Sequence, residues 1–331
     1  MRAGGPGRAG GLGPASPWGR DPLPTPDDYE DYWGTALGEA RRHRVDLRRS
    51  VVDAGLELIE VHDVSFAGAG GRRVQGWLRL PRYRSGPLPV IVHANGYGAG
   101  RLGPVDDLTW SAAGFAHLTM ATWGQGDASV GHLLGGITTP ERSYYRGVLV
   151  DGARAVDAVR TLDQVDPTRV AVIGNSQGGG IALGIGALVP DLVAVLAQAP
   201  FLTDAPEGIR LADSGPWLEL RAYLAEHPAE ADAVARTLSY VDGVTSARHA
   251  TAPGWISAGG ADGICPPSTA RAAADAYRAP VVYHEWPGAG HEAGAAADIR
   301  GALAVLRDRM GQQNGVGAPS GLHGETQTWS G

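Results

Sequence analysis

One serine of the chain lies in a pattern that can make it a nucleophile. Ser176 lies between Gly174 and Gly178 in the pattern Gly-x-Ser-x-Gly. A tight turn from a strand into a helix holds such a serine in a strained conformation, so the residues two before and two after it must lack a Cβ atom. The neighbouring apolar runs predict a strand over Val170–Ile173 and a helix over Gln177–Leu188. This context favours nucleophilic chemistry at Ser176.

A serine hydroxyl is a weak nucleophile until a base takes its proton, and in this type of site the acid and then the histidine follow the serine. His291 lies in a glycine-rich loop between the last predicted strand and the last predicted helix. From there an imidazole could reach Ser176, so we predict His291 as the base. Four other histidines follow the serine, in a strand pattern, in the tail or beside polar helices: His227, His249, His284 and His323.

Asp262 is the predicted acid. It follows a predicted strand and the turn Gly259-Gly260-Ala261, which places its carboxylate at the carboxyl end of a strand. There it could accept the Nδ1–H of His291 and stabilise the imidazolium formed during attack. Asp242 is the alternative acid, and Asp232 is a weaker alternative. Both lie in a polar segment, where an acidic side chain is ordinarily a solvated surface charge.

Two backbone N–H groups are the predicted donors to an oxyanion. The helix that begins at Gln177 directs its N–H groups towards the serine. The second donor should come from a loop after an early strand. The glycine-rich run from Asn95 to Gly100 follows such a strand, and Tyr97 is its best placed donor, although an ordinary turn remains the alternative.

Short continuous apolar runs alternate with helical segments after residue 87. This alternation is typical of a parallel sheet covered on both faces. The predicted strands are Pro89–Ala94, Phe115–Ala121, Val170–Ile173, Leu192–Ala199, Gly254–Ala258 and Val281–Glu285; the predicted helices are Tyr144–Leu162, Gln177–Leu188, Ser268–Tyr277 and Ala293–Arg309. A helical segment precedes this region, followed by a hairpin of Leu56–Phe66 and Arg73–Leu80.

The segment 204–246 interrupts the alternation with polar helices. We interpret it as an insertion over the carboxyl edge of the sheet, where α/β proteins bind ligands. Residues 1–25 and 312–331 are rich in glycine, proline or polar residues and are expected to be disordered tails. The predicted organisation is therefore one domain over 26–311 with two tails.

Composition excludes several classes of function. The 28 basic and 35 acidic residues leave a net charge of −7, which argues against nucleic acid or an anionic membrane as a partner. All basic side chains are arginine, so a P-loop lysine is excluded. A single cysteine, Cys265, cannot form an intrachain disulfide and is expected to be a buried small residue. No residue spacing indicates a metal, and no cofactor is expected.

No apolar run reaches the length of a membrane span, and the amino terminus does not resemble a secretory signal. We therefore expect a cytoplasmic protein. Trp123 and Trp217 are candidates for lining a substrate pocket, as is Gln125; the alternative for the tryptophans is a place in the core.

Ordered motifs from residue 26 to about 309 resemble the acetyl xylan esterase and cephalosporin C deacetylase family, carbohydrate esterase family seven, within the α/β-hydrolase fold. The motifs include Pro26-Asp-Asp-Tyr-Glu-Asp-Tyr-Trp33, Gly96-Tyr97, Gly124-Gln125-Gly126, Gly174-Asn-Ser-Gln-Gly-Gly179, Asp262-Gly-Ile-Cys-Pro-Pro267 and Gly290-His-Glu292. The chain departs from the family pattern at three places: Asn95 stands where a histidine is common, Trp123 stands where an arginine is common, and the helix after Asp262 lacks a common Tyr-Asn pair.

The resemblance implies the roles already assigned from the residues: Ser176 as nucleophile, Asp262 as acid, His291 as base, and the N–H groups of Tyr97 and Gln177 as oxyanion donors. It implies an α/β-hydrolase fold with a mostly parallel, doubly wound sheet, helices on both faces and a small helical insertion over the active site. The implied activity is hydrolysis of acetyl esters on xylo-oligosaccharides and cephalosporin C, often by a hexamer.

Three functions are compatible with the sequence. The first is a serine carboxylester hydrolase. The second is another acyl hydrolase or a peptidase, since a fold does not determine a substrate. The third is a non-catalytic binding protein, whose expected mark would be a missing member of the triad. No such gap is seen.

Overall fold

A computed structural model describes residues 16–125 and 131–311, and these residues build one twisted sheet with helices on both faces. Its strands are β1 (Arg48–Val52), β2 (Ile59–Ala67), β3 (Arg73–Pro81), β4 (Leu88–Ala94), β5 (Ala116–Met120), β6 (Val165–Asn175), β7 (Ala194–Gln198), β8 (Gly254–Gly259) and β9 (Val281–Trp286). Valine, isoleucine and alanine dominate the central strands, which are buried on both faces.

The strands follow the order β1-β2-β3-β5-β4-β6-β7-β8-β9. The pairs from β5 to β9 are parallel, whereas β1, β2, β3 and β5 pair antiparallel. The sheet is thus mostly parallel, as expected. The carboxyl ends of β4, β6, β7 and β8 lie side by side, and α/β sheets place their ligands at that edge.

Ten α-helices occur in the described residues. They are α1 (Tyr29–Arg41), α2 (Thr109–Ala112), α3 (Tyr144–Val159), α4 (Gln177–Leu188), α5 (Ala205–Leu211), α6 (Trp217–Glu226), α7 (Ala231–Val241), α8 (Gly243–His249), α9 (Pro267–Ala276) and α10 (Ala296–Met310). One face of the sheet packs on α1, α3, α4, α8 and α9, and the other on α2 and α10. No helix in residues 16–125 or 131–311 is long and apolar enough to cross a membrane.

The insertion predicted over residues 204–246 forms four helices, α5 to α8. Two of them, α5 and α8, were not predicted, and α8 ends at His249, three residues beyond the expected boundary. Asp204 and Asp242 lie where these helices begin, and each carboxylate accepts hydrogen bonds from backbone N–H groups of the following residues. Capping of this kind starts a helix without a long apolar pattern.

The amino-terminal segment differs from the expectation of a tail through residue 25. Leu23 is buried in the core, and Trp18 Nε1 donates to the carbonyl of Ala231 at 3.0 Å. Arg248 Nη1 donates to the carbonyl of Leu23 at 3.2 Å. Residues 16–25 therefore pack on the insertion. The remainder of the predicted amino-terminal tail, residues 1–15, and the predicted tail over 312–331 lie outside the described residues.

Candidate active site

The turn between β6 and α4 holds Ser176 in a backbone conformation that side chains disfavour. Its φ is +57° and its ψ is −122°. A Cβ atom on Gly174 would lie 2.1 Å from the carbonyl oxygen of Gly178, and a Cβ on Gly178 would lie 1.9 Å from the carbonyl oxygen of Ala94. Real Cβ atoms do not approach backbone that closely, so glycine is required at both positions. This is the geometry of a nucleophile elbow.

Backbone hydrogen bonds from the next strand hold the elbow in place. The N–H of Ser176 donates to the carbonyl of Gln198 at 2.9 Å, and the N–H of Phe201 donates to the carbonyl of Ser176 at 2.9 Å. The end of β7 thus supports both sides of the turn. Strain at a functional residue persists only when the surrounding structure determines it in this way.

Asp262 and His291 are in direct contact. Asp262 follows β8, and its Oδ2 lies 2.8 Å from Nδ1 of His291. Its other oxygen accepts the N–H groups of Ile264 at 2.8 Å and of Cys265 at 2.9 Å. Because a carboxylate only accepts, Nδ1 of His291 carries the proton and Nε2 is left as the basic nitrogen. The Asp262 side chain is fully buried, whereas the His291 side chain is 27% exposed.

Cys265 joins Ser176 to this pair. Its thiol lies close enough to the Ser176 side chain to interact with it, and its sulfur lies within 4.8 Å of ligand atoms of both Asp262 and His291. Burial raises the pKa of the Cys265 thiol well above its usual value, and the nearby Asp262 charge adds to this effect. The thiol is therefore neutral. The cysteine is buried, as expected, but its place beside the serine was not predicted.

The rival acids occupy other places. Asp242 is buried, and its carboxylate accepts the N–H groups of Asp204, Ala205 and Val244. It therefore joins the starts of α5 and α8. Asp232 is exposed on α7. Among the other histidines, His249 stacks on Tyr29 at 4.1 Å and His284 packs against Trp286 at 4.1 Å. His323 lies outside the described residues.

The two candidate oxyanion donors lie at neighbouring ends of β4 and β6. Gln177 is the first residue of α4, so its N–H has no acceptor within the helix. Tyr97 lies three residues beyond the end of β4. In the described part of the chain, no group accepts a hydrogen bond from the Tyr97 N–H. Both N–H groups are thus available to a developing negative charge.

A buried amide network links the loop of Tyr97 to the start of α4. The Nε2 of Gln125 lies 2.7 Å from Oε1 of Gln177, and the Oε1 of Gln125 accepts the N–H of Gly98 at 2.9 Å. The hydroxyl of Tyr145 donates to Oε1 of Gln177 at 2.9 Å, and the amide of Asn95 donates to the carbonyl of Gly100 at 2.9 Å. We call Gln125, Gln177 and Gly98 the glutamine clasp. The sequence did not predict this pairing, because Gln125 and Gln177 are 52 residues apart.

The insertion contacts the same loop through α6. The hydroxyl of Tyr97 lies 3.3 Å from Oε2 of Glu219 and accepts the N–H of His132 at 3.0 Å. The Tyr97 ring also packs near Phe201. The side chain of Tyr97 is thus fixed from two sides, which constrains the direction of its backbone N–H.

The three candidates for substrate contacts lie in different environments. Trp123 is 53% exposed, with the Arg72 guanidinium 4.4 Å above its ring. It lines an open groove of about 380 Å³ together with Gln125, Gln75 and Arg101. Gln125 is buried and engaged in the glutamine clasp. Trp217 is fully buried against Phe201 at 4.7 Å, so it supports the loop of Tyr97 from behind.

Asp262, Cys265 and His291 also have the spacing of a metal site. However, burial holds the Cys265 thiol in its neutral form. A thiolate is the form that binds a metal. The arrangement therefore suits acid–base chemistry better than metal binding.

Comparison with known proteins identifies the family of the chain. The family model for acetyl xylan esterase (AXE1) matches residues 19–302. The acetyl xylan esterase from Paenibacillus sp. R4 superimposes with a TM-score of 0.83 at 29% identity, over 88% of this chain and 97% of that one. Acetyl xylan esterase 1 from Thermoanaerobacterium sp. JW/SL YS485 gives a TM-score of 0.79 at 27% identity, over 87% and 96% of the two chains.

A curated relative is the acetyl esterase Axe7A of Xylanibacter ruminicola, 26% identical over 270 residues. The match covers 74% of this chain and 58% of that protein, so the chain spans little more than half of the relative's length. The α/β-hydrolase fold and the family resemblance predicted from the sequence are both confirmed. The chain belongs to the acetyl xylan esterase family, a family of α/β-hydrolase-fold esterases.

Proposed function

We propose that the chain is a serine esterase that removes acetyl groups from acetylated xylo-oligosaccharides or related small acetyl esters such as cephalosporin C, through an acetyl-enzyme on Ser176. The observation that carries this proposal is the 2.8 Å contact between His291 Nδ1 and Asp262 beside the strained serine turn. This contact engages Nδ1 of His291 and leaves Nε2 as the basic nitrogen. The turn supplies the hydroxyl of Ser176 as the nucleophile. Membership of the acetyl xylan esterase family supports the acetyl ester as substrate.

Acylation begins when Nε2 of His291 takes the proton of the Ser176 hydroxyl as its oxygen attacks the ester carbonyl carbon. The carbonyl electron pair moves to oxygen, and the N–H groups of Tyr97 and Gln177 stabilise the resulting negative charge. Asp262 stabilises the imidazolium through its hydrogen bond to Nδ1. When the carbon–oxygen bond of the ester breaks, His291 returns the proton to the leaving alcohol.

Deacylation repeats these steps with water. His291 takes a proton from water as the water oxygen attacks the acetyl carbonyl, the same two N–H groups stabilise the oxyanion, and the proton passes to Ser176 as acetate leaves. The serine is regenerated, and ester plus water has become alcohol plus acetate. Each step uses a group from the loops at the carboxyl edge of the sheet.

The half-exposed Trp123 supports a carbohydrate as the alcohol portion. Its ring borders the open groove beside the glutamine clasp. A flat aromatic face binds the apolar face of a sugar ring, and it can also bind the rings of a cephalosporin. We therefore propose Trp123 as the residue that contacts the alcohol portion of the substrate, with Gln125 and Trp217 placing the loop of Tyr97.

We also propose that the protein is cytoplasmic and forms a homo-oligomer, with a hexamer as the form that its resemblance implies. Val51, Leu58 and Tyr83 support the oligomer, since each is a large exposed side chain in or next to the antiparallel strands β1, β2 and β3. Sedimentation velocity of the purified protein would measure the state. A monomer at micromolar concentration would contradict the oligomer.

The substitution Ser176→Ala tests the proposed function. Removal of a serine nucleophile can lower kcat by about 10⁶-fold, so we expect the variant to release no measurable acetate from 4-nitrophenyl acetate. The wild-type protein should be assayed on acetylated xylo-oligosaccharides, cephalosporin C, butyryl and longer esters, and a peptide substrate. We expect the two acetylated natural classes to give the highest kcat/KM.

Two outcomes would contradict the proposal. Unchanged turnover by the Ser176→Ala variant would remove Ser176 as the nucleophile. Faster cleavage of the peptide or of long-chain esters would instead keep the mechanism and identify another acyl hydrolase. Circular dichroism of the variant controls for loss of fold.

A further inference from the structure

A second group of metal-ligating side chains lies away from the proposed catalytic triad. His93 lies near the end of β4, His117 lies at the start of the neighbouring strand β5, and Asp107 lies in the loop that leads to α2. In the parallel register, His117 pairs with Ile91, so the two histidines are diagonal neighbours on the sheet face that also carries α2 and α10.

The ligand atoms of these three residues converge. The Nδ1 of His93 lies 2.8 Å from Oδ2 of Asp107 and 3.1 Å from Nε2 of His117. All three atoms lie within 4.8 Å of one another. Nitrogen and oxygen ligands about 2.1 Å from a zinc ion lie about 3.0 Å apart at bond angles of 90° and about 3.4 Å apart in a tetrahedron. The two distances from Nδ1 of His93, 2.8 and 3.1 Å, are close to these values.

The convergence brings together more lone pairs than protons. Asp107 can only accept as a carboxylate, and a single proton on Nδ1 of His93 would have to be shared between Asp107 and His117. His117 is fully buried, and its Nε2 faces Nδ1 of His93 at 3.1 Å and the Thr119 hydroxyl at 3.4 Å. Its Nδ1 has no hydrogen-bond partner among the described residues. A cation would satisfy the three facing atoms together.

We propose that His93, His117 and Asp107 form a binding site for one divalent transition-metal ion, with Zn²⁺ as the best match. Two imidazoles and one carboxylate are ligands that zinc takes, and Co²⁺ and Ni²⁺ accept the same set. The side chains of His93 and Asp107 are 16% and 25% exposed, so an ion can reach the site from solvent and keep water as its remaining ligand.

Neighbouring groups hold the ligands in place. The Nε1 of Trp110 donates to Oδ2 of Asp107 at 3.1 Å, which orients the carboxylate in the way that outer partners of metal ligands do. Arg79 is buried nearby and donates to the Thr119 hydroxyl at 2.7 Å. Its positive charge opposes a cation, and the charges of Asp106 and Asp107 near the guanidinium offset it.

The ion would have a structural role. His93 lies just before the segment 95–108, and Asp107 lies near the end of this segment, which includes Tyr97. An ion bound to both would tie the two ends of that segment to β5, and it would stabilise the folded state because the unfolded chain lacks the assembled site. We therefore expect metal binding to raise the melting temperature. Catalysis by the proposed triad does not require it.

The experiment measures binding of Zn²⁺ and Co²⁺ to a tag-free protein that carries His291→Gln, so that the Asp262, Cys265 and His291 group cannot contribute. We expect one equivalent of metal by calorimetry, a d–d absorption band with Co²⁺, and a higher melting temperature. Adding His93→Gln or Asp107→Asn should weaken binding by about a hundredfold or more, beyond the loss typical of outer partners. His284→Gln, an exposed histidine, is the matched control and should change nothing.

Circular dichroism without metal shows whether each variant is folded, and His93→Gln serves if Asp107→Asn does not fold. The proposal is overturned if the His291→Gln protein binds no metal in the micromolar range. It is also overturned if His93→Gln leaves the affinity unchanged, or if only the protein with an intact His291 binds. These outcomes are independent of the esterase assay.

Discussion

At the scale of single residues, the elbow depends on what two positions lack. Backbone atoms of Gly178 and Ala94 occupy the space that side chains at 174 and 178 would fill. The strained turn at Ser176 can therefore form only with glycine at both positions. The orientation of His291 depends, in contrast, on the carboxylate of Asp262. Two backbone N–H groups donate to one oxygen of this carboxylate and so fix the position of the other oxygen, which contacts the histidine.

Gly178→Ala should destabilise the protein. The new Cβ would lie 1.9 Å from a backbone oxygen, so the turn must move, and we expect a loss of about 2 to 3 kcal/mol in the free energy of unfolding. Gly34→Ala is the matched control, because a Cβ on this exposed glycine of α1 meets nothing within 4 Å. It should stabilise by about 0.5 to 1 kcal/mol. Urea unfolding measures both, and equal effects would contradict the packing argument.

Asp262→Asn should leave the fold intact and remove most of the activity. An amide cannot hold the proton on Nδ1 of His291 or stabilise the imidazolium, and in a related triad this change lowers kcat by about 10⁴-fold. Steady-state kinetics on 4-nitrophenyl acetate gives the value. Asp232→Asn, at an exposed rival position, should stay within twofold of wild type. A small decrease in kcat for Asp262→Asn together with a large decrease for Asp232→Asn would instead identify Asp232 as the acid.

At the scale of elements, the site depends on two loops being held at a fixed separation. The loop after β4 and the first turn of α4 meet through the glutamine clasp, and α6 supports the loop through Glu219. A preorganised pair of donors costs no rearrangement when the oxyanion forms.

Gln125→Ala should lower kcat more than it changes KM. Without the side chain, Gly98 loses its acceptor and the loop of Tyr97 gains freedom, so we expect a decrease of about tenfold, less than the 10²- to 10³-fold loss of a whole donor. Gln75→Ala is the control, because Gln75 lines the same groove but contacts Arg101. A rise in KM alone would instead place Gln125 in substrate binding.

The sequence predicted those elements whose apolar pattern is continuous. The strands β4 to β9 and the helices α3, α4, α9 and α10 lie within a few residues of their predicted bounds, because their burial on the sheet follows from local pattern. Strand β1 was missed because it is an exposed edge strand of sequence Arg-Arg-Ser-Val-Val. The approach of Gln125 to Gln177, of Glu219 to Tyr97 and of Cys265 to Ser176 depends on the tertiary fold, and no short pattern encodes it.

At the scale of the whole molecule, a pair of buried carboxylates couples stability to pH. Asp242 Oδ1 accepts the N–H of Asp204 at 3.0 Å, and the two acids lie at the starts of α8 and α5. Burial, with the nearby Asp242 charge, raises the pKa of Asp204 to about 7. Burial also raises the pKa of Asp242. Removing a proton therefore costs more in the folded protein than in the unfolded chain.

Stability should fall as the pH rises towards 7. A group whose pKa is raised on folding contributes its full stabilisation below its unfolded value of 3.8 and loses it as the pH passes its folded value. Asp204→Asn keeps a side chain that can cap α5 and tolerate the φ of +50°. At pH 8 it should be about 1 to 2 kcal/mol more stable than wild type, with no gain at pH 4. Thermal melts from pH 4 to 8 check this, and parallel curves would contradict it.

The buried neighbour of Ser176 has a practical consequence. Cys265 is the only cysteine in the sequence and is fully buried, so a maleimide reagent can reach it only when the protein opens at the proposed catalytic centre. The labelling rate then reports how often that opening occurs. A substrate or inhibitor seated over the serine should slow the labelling, so the chain carries its own occupancy probe.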